Sequence, residues 1–361
     1  MPPIPNRRVL FNEIPPADGY PIPGKTTVYD TSAEIDLENA PLSKDSILVK
    51  VICLSLDPYM RSRMRKPDVP GYVPPFILHE PISGHGVSVV LRSRNPHFKE
   101  GAHVRGFMDF AEYCIIEGDG FPMQSLILLK NDLQLPWSLY VGILGVPGRT
   151  AVFGWREYVK PKARGVAFIT TGAGAVGSLV IQLAKRDGMK VIASAGTDDK
   201  VNFMNELGAD VAFNYHTNST KDILREHGPL DVYWDNVGGE VLDLALENAA
   251  FSASFVECGM ITTYNSTNAY PFKNMFNIIS KNIQINGFLT RTLLEKHEEE
   301  FLQIIPKMVG DGELKYREDI TSGLANTGSA LLDLLTGKNT GKSIVIVNEG
   351  NSIGRFPKSV M

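Results

Sequence analysis

The chain has 361 residues, 43% of them apolar and 21% charged, and its 36 basic and 40 acidic side chains leave a net charge of −4. That length accommodates two domains with cores of their own, and the near-neutral balance excludes the basic excess expected of a nucleic-acid or anionic-membrane binder. The N-terminal stretch MPPIPNRRVLFNEIPP lacks the apolar core of a signal peptide, and apolar runs such as residues 47–56 are too short to span a bilayer. Cys53, Cys114 and Cys258 are widely separated and odd in number, so neither a disulfide framework nor a CxxC metal site is available. The chain reads as a reduced, cytoplasmic protein.

Residues 1–130 alternate short β-like runs (46–56, 84–91, 102–107 and 112–117) with proline, glycine and asparagine breaks, which predicts an irregular β-rich domain. From about residue 165 to 310 strands and helices alternate, the pattern of a doubly wound parallel sheet. A strand over 166–171 runs into Gly172-Ala-Gly-Ala-Val-Gly177. A helix follows whose apolar positions Val176, Leu179, Val180, Leu183 and Ala184 form one stripe, with Gly188 as its stop. The next strand is 190–195, and Thr197 or Asp198 caps a helix ending near Leu207 and Gly208. Further strands are predicted over 211–214, 230–235, 255–258 and 284–289. A helix over 325–335 and a strand over 343–347 come last. The plan is a discontinuous pair, with 1–135 and 311–361 forming one domain and 136–310 the other, and a cleft between them as the natural active site.

GxGxxG alone is weak in a chain with 33 glycines. Here it stands between a strand and an amphipathic helix, where glycines let backbone approach a pyrophosphate and the helix N-terminus attracts the anion. Gly172, Gly174, Ala175, Val176 and Gly177 are therefore candidate cofactor contacts. Enzymes that use NAD place Asp or Glu about 20 residues beyond the first glycine to hold the ribose 2′-hydroxyl. This chain has Ser194-Ala-Gly196-Thr197 there and no carboxylate, which favours NADP. Lys200, one turn into the next helix, is either a partner of the 2′-phosphate or a solvated helix residue.

Dehydrogenases of this layout often hold a catalytic zinc through a GHE motif and a structural zinc through four cysteines. The chain has Gly84-His85-Gly86 and no cysteine cluster, and neither zinc site can be assembled from its spacings. No metal is expected. Alcohol oxidation without a Lewis acid lacks its usual alkoxide stabiliser, whereas reduction of a conjugated double bond needs one hydrogen-bond donor at the developing enolate.

Several separated motifs resemble, in order, the zinc-free medium-chain reductases that include prostaglandin reductases, leukotriene hydroxydehydrogenases and alkenal double-bond reductases. They are Leu54-Ser-Leu-Asp-Pro-Tyr-Met-Arg61, Gly145-Val-Pro-Gly-Arg-Thr-Ala151, Gly172 to Ser178, Asn214-Tyr215, Asp235-Asn-Val-Gly-Gly-Glu240, Cys258-Gly-Met-Ile-Thr-Thr-Tyr-Asn265, Asn286-Gly-Phe-Leu289 and Gly337-Lys-Asn-Thr-Gly-Lys342. The resemblance covers about residues 47–347. It implies a GroES-like β-rich catalytic domain joined to a Rossmann domain, NADPH as cofactor, and reduction of the C=C bond of α,β-unsaturated aldehydes or ketones. It also implies a homodimer.

The resemblance carries roles to particular residues. Lys200 and Tyr215 match the 2′-phosphate contacts, with Gly196 beside them. Asn236 and Gly238 match the loop at the nicotinamide ribose, with Cys258 across from it. Phe288 and Leu289 match the strand end that meets the carboxamide, and Asn339 the residue that closes over the cofactor. Tyr264 resembles the active-site tyrosine, which bonds the developing enolate oxygen or orders the nicotinamide ribose, and Tyr59 resembles a substrate-pocket residue, with core packing as the alternative. Arg149 stands where the family often has Met and Thr290 where it commonly has Val. Arg149 binds a polar substrate group if it faces the pocket and is neutral for specificity if it faces solvent. A quinone oxidoreductase and a non-catalytic NADPH-binding protein remain the competing readings.

Overall fold

The computed structural model describes residues 2–348. The chain divides into two compact units, Ile143–Arg317 and the combination of Met1–Gly142 with Glu318–Met361. The division falls after Gly142 because the 3-10 segment Trp137–Val141 belongs to the first unit: Trp137 stacks on His103 at 4.1 Å and Ser138 donates to Glu318 at 3.0 Å. It falls after Arg317 because that guanidinium lies 4.2 Å from the Phe203 ring centre, and Lys315 is tied to Gln182, both in the second unit.

The first unit is built on a seven-stranded sheet. Its order runs Glu318–Ser322, Lys342–Ile346, Ile47–Ser55, Ser83–Ser93, His103–Asp109 and Ile127–Leu128, with Tyr113–Ile116 also pairing with Ile47–Ser55. Ile47, Leu48, Val49, Val51, Cys53 and Leu54 are fully buried. That continuous apolar run, with no alternation, marks a strand covered on both faces. Two small ribbons, Arg8–Phe11 with Thr27–Asp30 and Ile4–Pro5 with Glu34–Ile35, complete the strands.

The second unit opens with α1 (Val146–Tyr158) and continues through β1 (Val166–Ile169), α2 (Gly177–Arg186), β2 (Lys190–Ala195), α3 (Asp198–Glu206) and β3 (Val211–Asn214). It proceeds with α4 (Thr220–His227), β4 (Leu230–Asp235), α5 (Gly239–Glu247), β5 (Ala249–Glu257), α6 (Phe276–Ser280), β6 (Gln284–Gly287) and α7 (Leu294–Gly310). All neighbouring strands are parallel, in the order β3-β2-β1-β4-β5-β6. Strand order reverses between β1 and β4, and the crevice at the carboxyl ends of such strands is where open α/β sheets bind ligands. Phe168, Tyr233 and Phe255 cross the sheet in ring contact at 5.4 and 5.1 Å, backed by Leu230, Leu242 and Leu246. Leu179, Val180 and Ala184 bury the α2 stripe as its spacing predicts. Thr197 caps α3, its hydroxyl accepting the Lys200 N–H. Gly188 and Gly208, at φ 75° and 95°, end α2 and α3 in a conformation that only glycine adopts readily.

Several strands differ from their predicted bounds; β1, for example, ends at Ile169 and not at residue 171. β5 begins at Ala249, well before residue 255, because Leu230 on β4 pairs with Ala249 ahead of an irregularity in the register. β6 stops at Gly287, and the chain enters the 3-10 turn Thr290–Leu293.

Candidate cofactor and active site

The glycine turn is built by contact. A methyl at Gly172 would lie 2.5 Å from Met204 Sδ, and one at Gly177 would lie 2.4 Å from the Thr171 carbonyl. Both glycines are demanded by helix–sheet packing. A methyl at Gly174 would meet nothing within 4 Å except Thr171, so this backbone is open to a ligand on its outer side. Ala175 and Val176 then lead into the α2 N-terminus, whose N–H groups and dipole favour an anion. This cradle fits a dinucleotide pyrophosphate.

The end of β2 shows which dinucleotide fits. Gly196 lies under Tyr215: a methyl there would stand 2.7 Å from the Tyr215 hydroxyl and 3.5 Å from His216 Nε2. Lys200 is only 9% exposed, so it is a buried residue of α3 and not a solvated one. Asp198 accepts from Asn214 Nδ2 at 2.9 Å, which occupies one of its carboxylate oxygens. A strand end of glycine and phenol, with no acid on the strand itself, suits a 2′-phosphate.

At the reversal of strand order, three strand ends are laced together. Thr170 Oγ1 donates to the Trp234 carbonyl at 3.2 Å and accepts from the Asn236 N–H at 2.8 Å, while Asn236 Nδ2 donates to the Thr170 carbonyl at 2.8 Å. Asp235 Oδ1 accepts the N–H groups of Val237 and Gly238 at 2.7 and 2.8 Å, which shapes the turn into α5. Gly238, at φ 73°, is the residue that lets this turn close. The Cys258 and Gly259 N–H groups bond the Asp235 carbonyl, and those of Ile261 and Thr262 bond the carbonyls of Asn236 and Val237. The segment 258–264 is thereby folded onto 236–238. Tyr264 comes back over Gly259, its hydroxyl 3.4 Å from where a methyl on that glycine would stand, with the Asn236 carbonyl 3.8 Å from the same point. Burial pushes the Cys258 thiol up to about 12, so it remains protonated here.

The structure corrects one candidate. Arg149 faces neither a pocket nor solvent. Its guanidinium is 3% exposed, bonds both oxygens of Glu298 at 2.6 Å, donates to the Leu144 and Gly145 carbonyls, and lies 4.5 Å from the Phe301 ring centre. With those donors engaged and the charge paired, it is a pin between α1 and α7 and is withdrawn as a substrate contact. Thr290, the other departure, bonds Thr150 through the two hydroxyls at 2.7 Å.

Phe288 packs its ring between Tyr158 and Trp234, at 5.6 and 6.2 Å, which leaves its backbone and that of Leu289 as the parts available to a ligand. Tyr59 and Asn339 lie in the first unit. Tyr59 precedes the short helix Met60–Arg63, and its buried hydroxyl has no hydrogen-bond partner. Burial, with Asp57 nearby, raises it well above the ordinary phenol range. Asn339 donates to the Gly341 carbonyl at 2.9 Å. Thr170, Asp235 and Glu257 escaped the sequence reading. Asp235 and the glycines after it were a readable signal, whereas Glu257 becomes notable only through its position beside Asp235. Among the described residues no three His, Cys, Asp or Glu side chains converge as a metal-holding group, and no helix is long and apolar enough to cross a membrane.

A parallel sheet reversing at a glycine turn, with a carboxylate-free second strand end, defines a nicotinamide-dinucleotide oxidoreductase. Residues 27–123 match a family model described as the N-terminal domain of oxidoreductase, and residues 175–308 one described as zinc-binding dehydrogenase. The chain belongs to the medium-chain dehydrogenase/reductase family, in its zinc-free group of alkenal and enone reductases. It is 36% identical to a 2-alkenal reductase (NADP(+)-dependent) of Nicotiana tabacum, over 96% of this chain and 98% of the relative. It is also 36% identical to a (+)-pulegone reductase of Mentha piperita, over 84% of this chain and 88% of the relative. Among solved structures, CurA of Vibrio vulnificus in complex with NADPH superposes with a TM-score of 0.83 at 28% identity, covering 95% of this chain and all of the other.

Proposed function

We propose that the protein uses NADPH to reduce the carbon–carbon double bond of α,β-unsaturated aldehydes or ketones. The observation that carries this is Tyr264 folded over Gly259 on a loop bonded to residues 236–238, in a chain whose relatives are named for alkenal and enone reduction. NADPH, when bound, supplies the hydride that reaches the β-carbon. The chain's residues do the rest. Gly172 to Gly177 and the α2 N-terminus hold the pyrophosphate, and Gly196, Lys200 and Tyr215 hold the 2′-phosphate. Asn236, Gly238, Cys258, Phe288 and Leu289 line the nicotinamide end, and Asn339 closes over the cofactor. Tyr59 contacts substrate. The Tyr264 hydroxyl donates to the carbonyl oxygen as negative charge develops there, a donor of a kind worth about 3 kcal/mol of barrier, and water or that phenol supplies the proton that the α-carbon takes up.

The parallel-sheet unit carries most of the cofactor contacts together with Tyr264, and the β-rich unit carries Tyr59 and Asn339. The protein works in the cytoplasm as a homodimer, a state supported by the open edge of β6, where Ile285 and nearby Phe276 and Ile279 are exposed. The test is NADPH consumption against enals, enones and a quinone, with NADH in parallel. Turnover of enals or enones with NADPH is expected, with Tyr264→Phe lowering kcat about a hundredfold while NADPH affinity holds. Turnover confined to quinones, or NADPH binding with no turnover of any of them, overturns the reading.

A further inference from the structure

Two carboxyls in the parallel-sheet unit take no part in the chemistry above. Asp235 ends β4 and Glu257 ends β5, and the parallel register pairs them directly, so their side chains leave the same face side by side. Asp235 is fully buried. Its Oδ1 is held by Val237 and Gly238, but its Oδ2 and both Glu257 oxygens are buried with no donor. Paired positions on adjacent parallel strands thus bring three buried, unpartnered carboxyl oxygens together. Ionised carboxylates only accept, so a bond between them requires a proton. Tyr233 on β4 and Cys258 just past β5 are the other titratable groups beside the pair, and β6 presents Gly287 to Glu257. Burial, and then the charge of Asp235, hold Glu257 well above the carboxylate range.

We propose that Asp235 and Glu257 share one proton, and that this proton holds the loops 236–238 and 258–264 in the arrangement that receives the nicotinamide end of the cofactor. The inference rests on the reading that these loops bind NADPH. Both loops hang from Asp235: its carboxylate fixes the first, and its carbonyl anchors Cys258 and Gly259 at the start of the second. Loss of the proton sets two charges against each other in a site with no water-exposed oxygen. The carboxyls then separate, and the bonds from Asp235 to residues 237 and 238 are the first to be disturbed.

The experiment measures the affinity of NADPH and of 2′,5′-ADP, which lacks the nicotinamide, from about pH 6 to about pH 10 for wild type and Glu257→Gln. In wild type, NADPH affinity should fall about tenfold per pH unit above the pair's titration, relative to 2′,5′-ADP. Glu257→Gln, whose amide donates at every pH, should abolish that relative fall. Equal profiles in wild type and variant, or an equal fall for both ligands, overturn the proposal. Failure of NADPH to bind at any pH instead sinks the cofactor reading on which it rests. If the variant does not fold, carboxyl ¹³C shifts of the wild type decide: both carboxyls titrating in the ordinary range overturns it, and one held far above supports it.

Discussion

Replacing Arg149 with Met tests the assignment of this arginine to the core. The substitution removes two bonds to Glu298, a bond to the Leu144 carbonyl at 2.6 Å and the contact with Phe301. Removing one member of a fully buried ion pair destabilises by about 3–5 kcal/mol, because the other charge is stranded. Glu298 keeps 24% of its side chain exposed, so its carboxylate regains water and the loss falls toward the low end. The Leu144 carbonyl, left without the guanidinium, adds about 1 kcal/mol, and Met recovers part of that through packing on Phe301. The net expectation is about 3 kcal/mol. Urea unfolding should show a lower midpoint for Arg149→Met, with most of the loss recovered in Arg149→Met combined with Glu298→Leu. kcat and KM for a small enal should stay within about twofold of wild type. Wild-type stability together with a KM raised selectively for carboxylate-bearing substrates would refute the argument and return Arg149 to the pocket.

Gly196→Ala places a methyl against the Tyr215 hydroxyl, so NADPH affinity should fall about tenfold, or ~1.4 kcal/mol, with NADH affinity little changed; an equal loss for both cofactors would remove Gly196 and Tyr215 from the 2′-phosphate site. Cys53, Cys114 and Cys258 are free thiols raised by burial, so mass spectrometry should find none alkylated by iodoacetamide in the native protein near neutral pH and all three alkylated in denaturant. The fold keeps Glu257 neutral at pH values where the unfolded chain has released that proton, so this group's contribution to stability declines as pH rises above the ordinary carboxylate range. The melting temperature of Glu257→Gln relative to wild type should therefore climb from about pH 5 to about pH 8, and a constant difference would mean that Glu257 ionises normally.

β2, β3 and β4 were legible to the residue because each is a short buried run bounded by helix caps and turn residues. α1 was not, because Gly145, Pro147 and Gly148 at its start read locally as a turn, and its helical state depends on burial of Phe153 and Trp155. Pro306 inside α7 hid that helix in the same way. The cofactor turn was visible because its glycines are closely spaced and flanked by a strand and a helix. The role of Arg149 was invisible because its partner, Glu298, lies 149 residues away. The pairing of Asp235 with Glu257 depends on strand register, which no local pattern specifies. Tyr264 was singled out through family resemblance; only the fold brings it over Gly259.

The sheet of the first unit has a consequence for the order in which the protein forms. Its strand Lys342–Ile346 lies between Ile47–Ser55 and Glu318–Ser322, and Glu318–Ser322 has no other strand neighbour among the described residues. Every strand of Ile143–Arg317 has emerged from the ribosome before this one is made, so the parallel-sheet unit can complete its own hydrogen bonding during synthesis. Residues 47–50 of the strand Ile47–Ser55 pair early with Tyr113–Ile116, but residues 53–55 must wait for a partner almost 300 residues downstream. Until then that end of an apolar strand keeps unpaired backbone groups on one edge, and that interval is when the nascent chain is most exposed to aggregation and most dependent on chaperones.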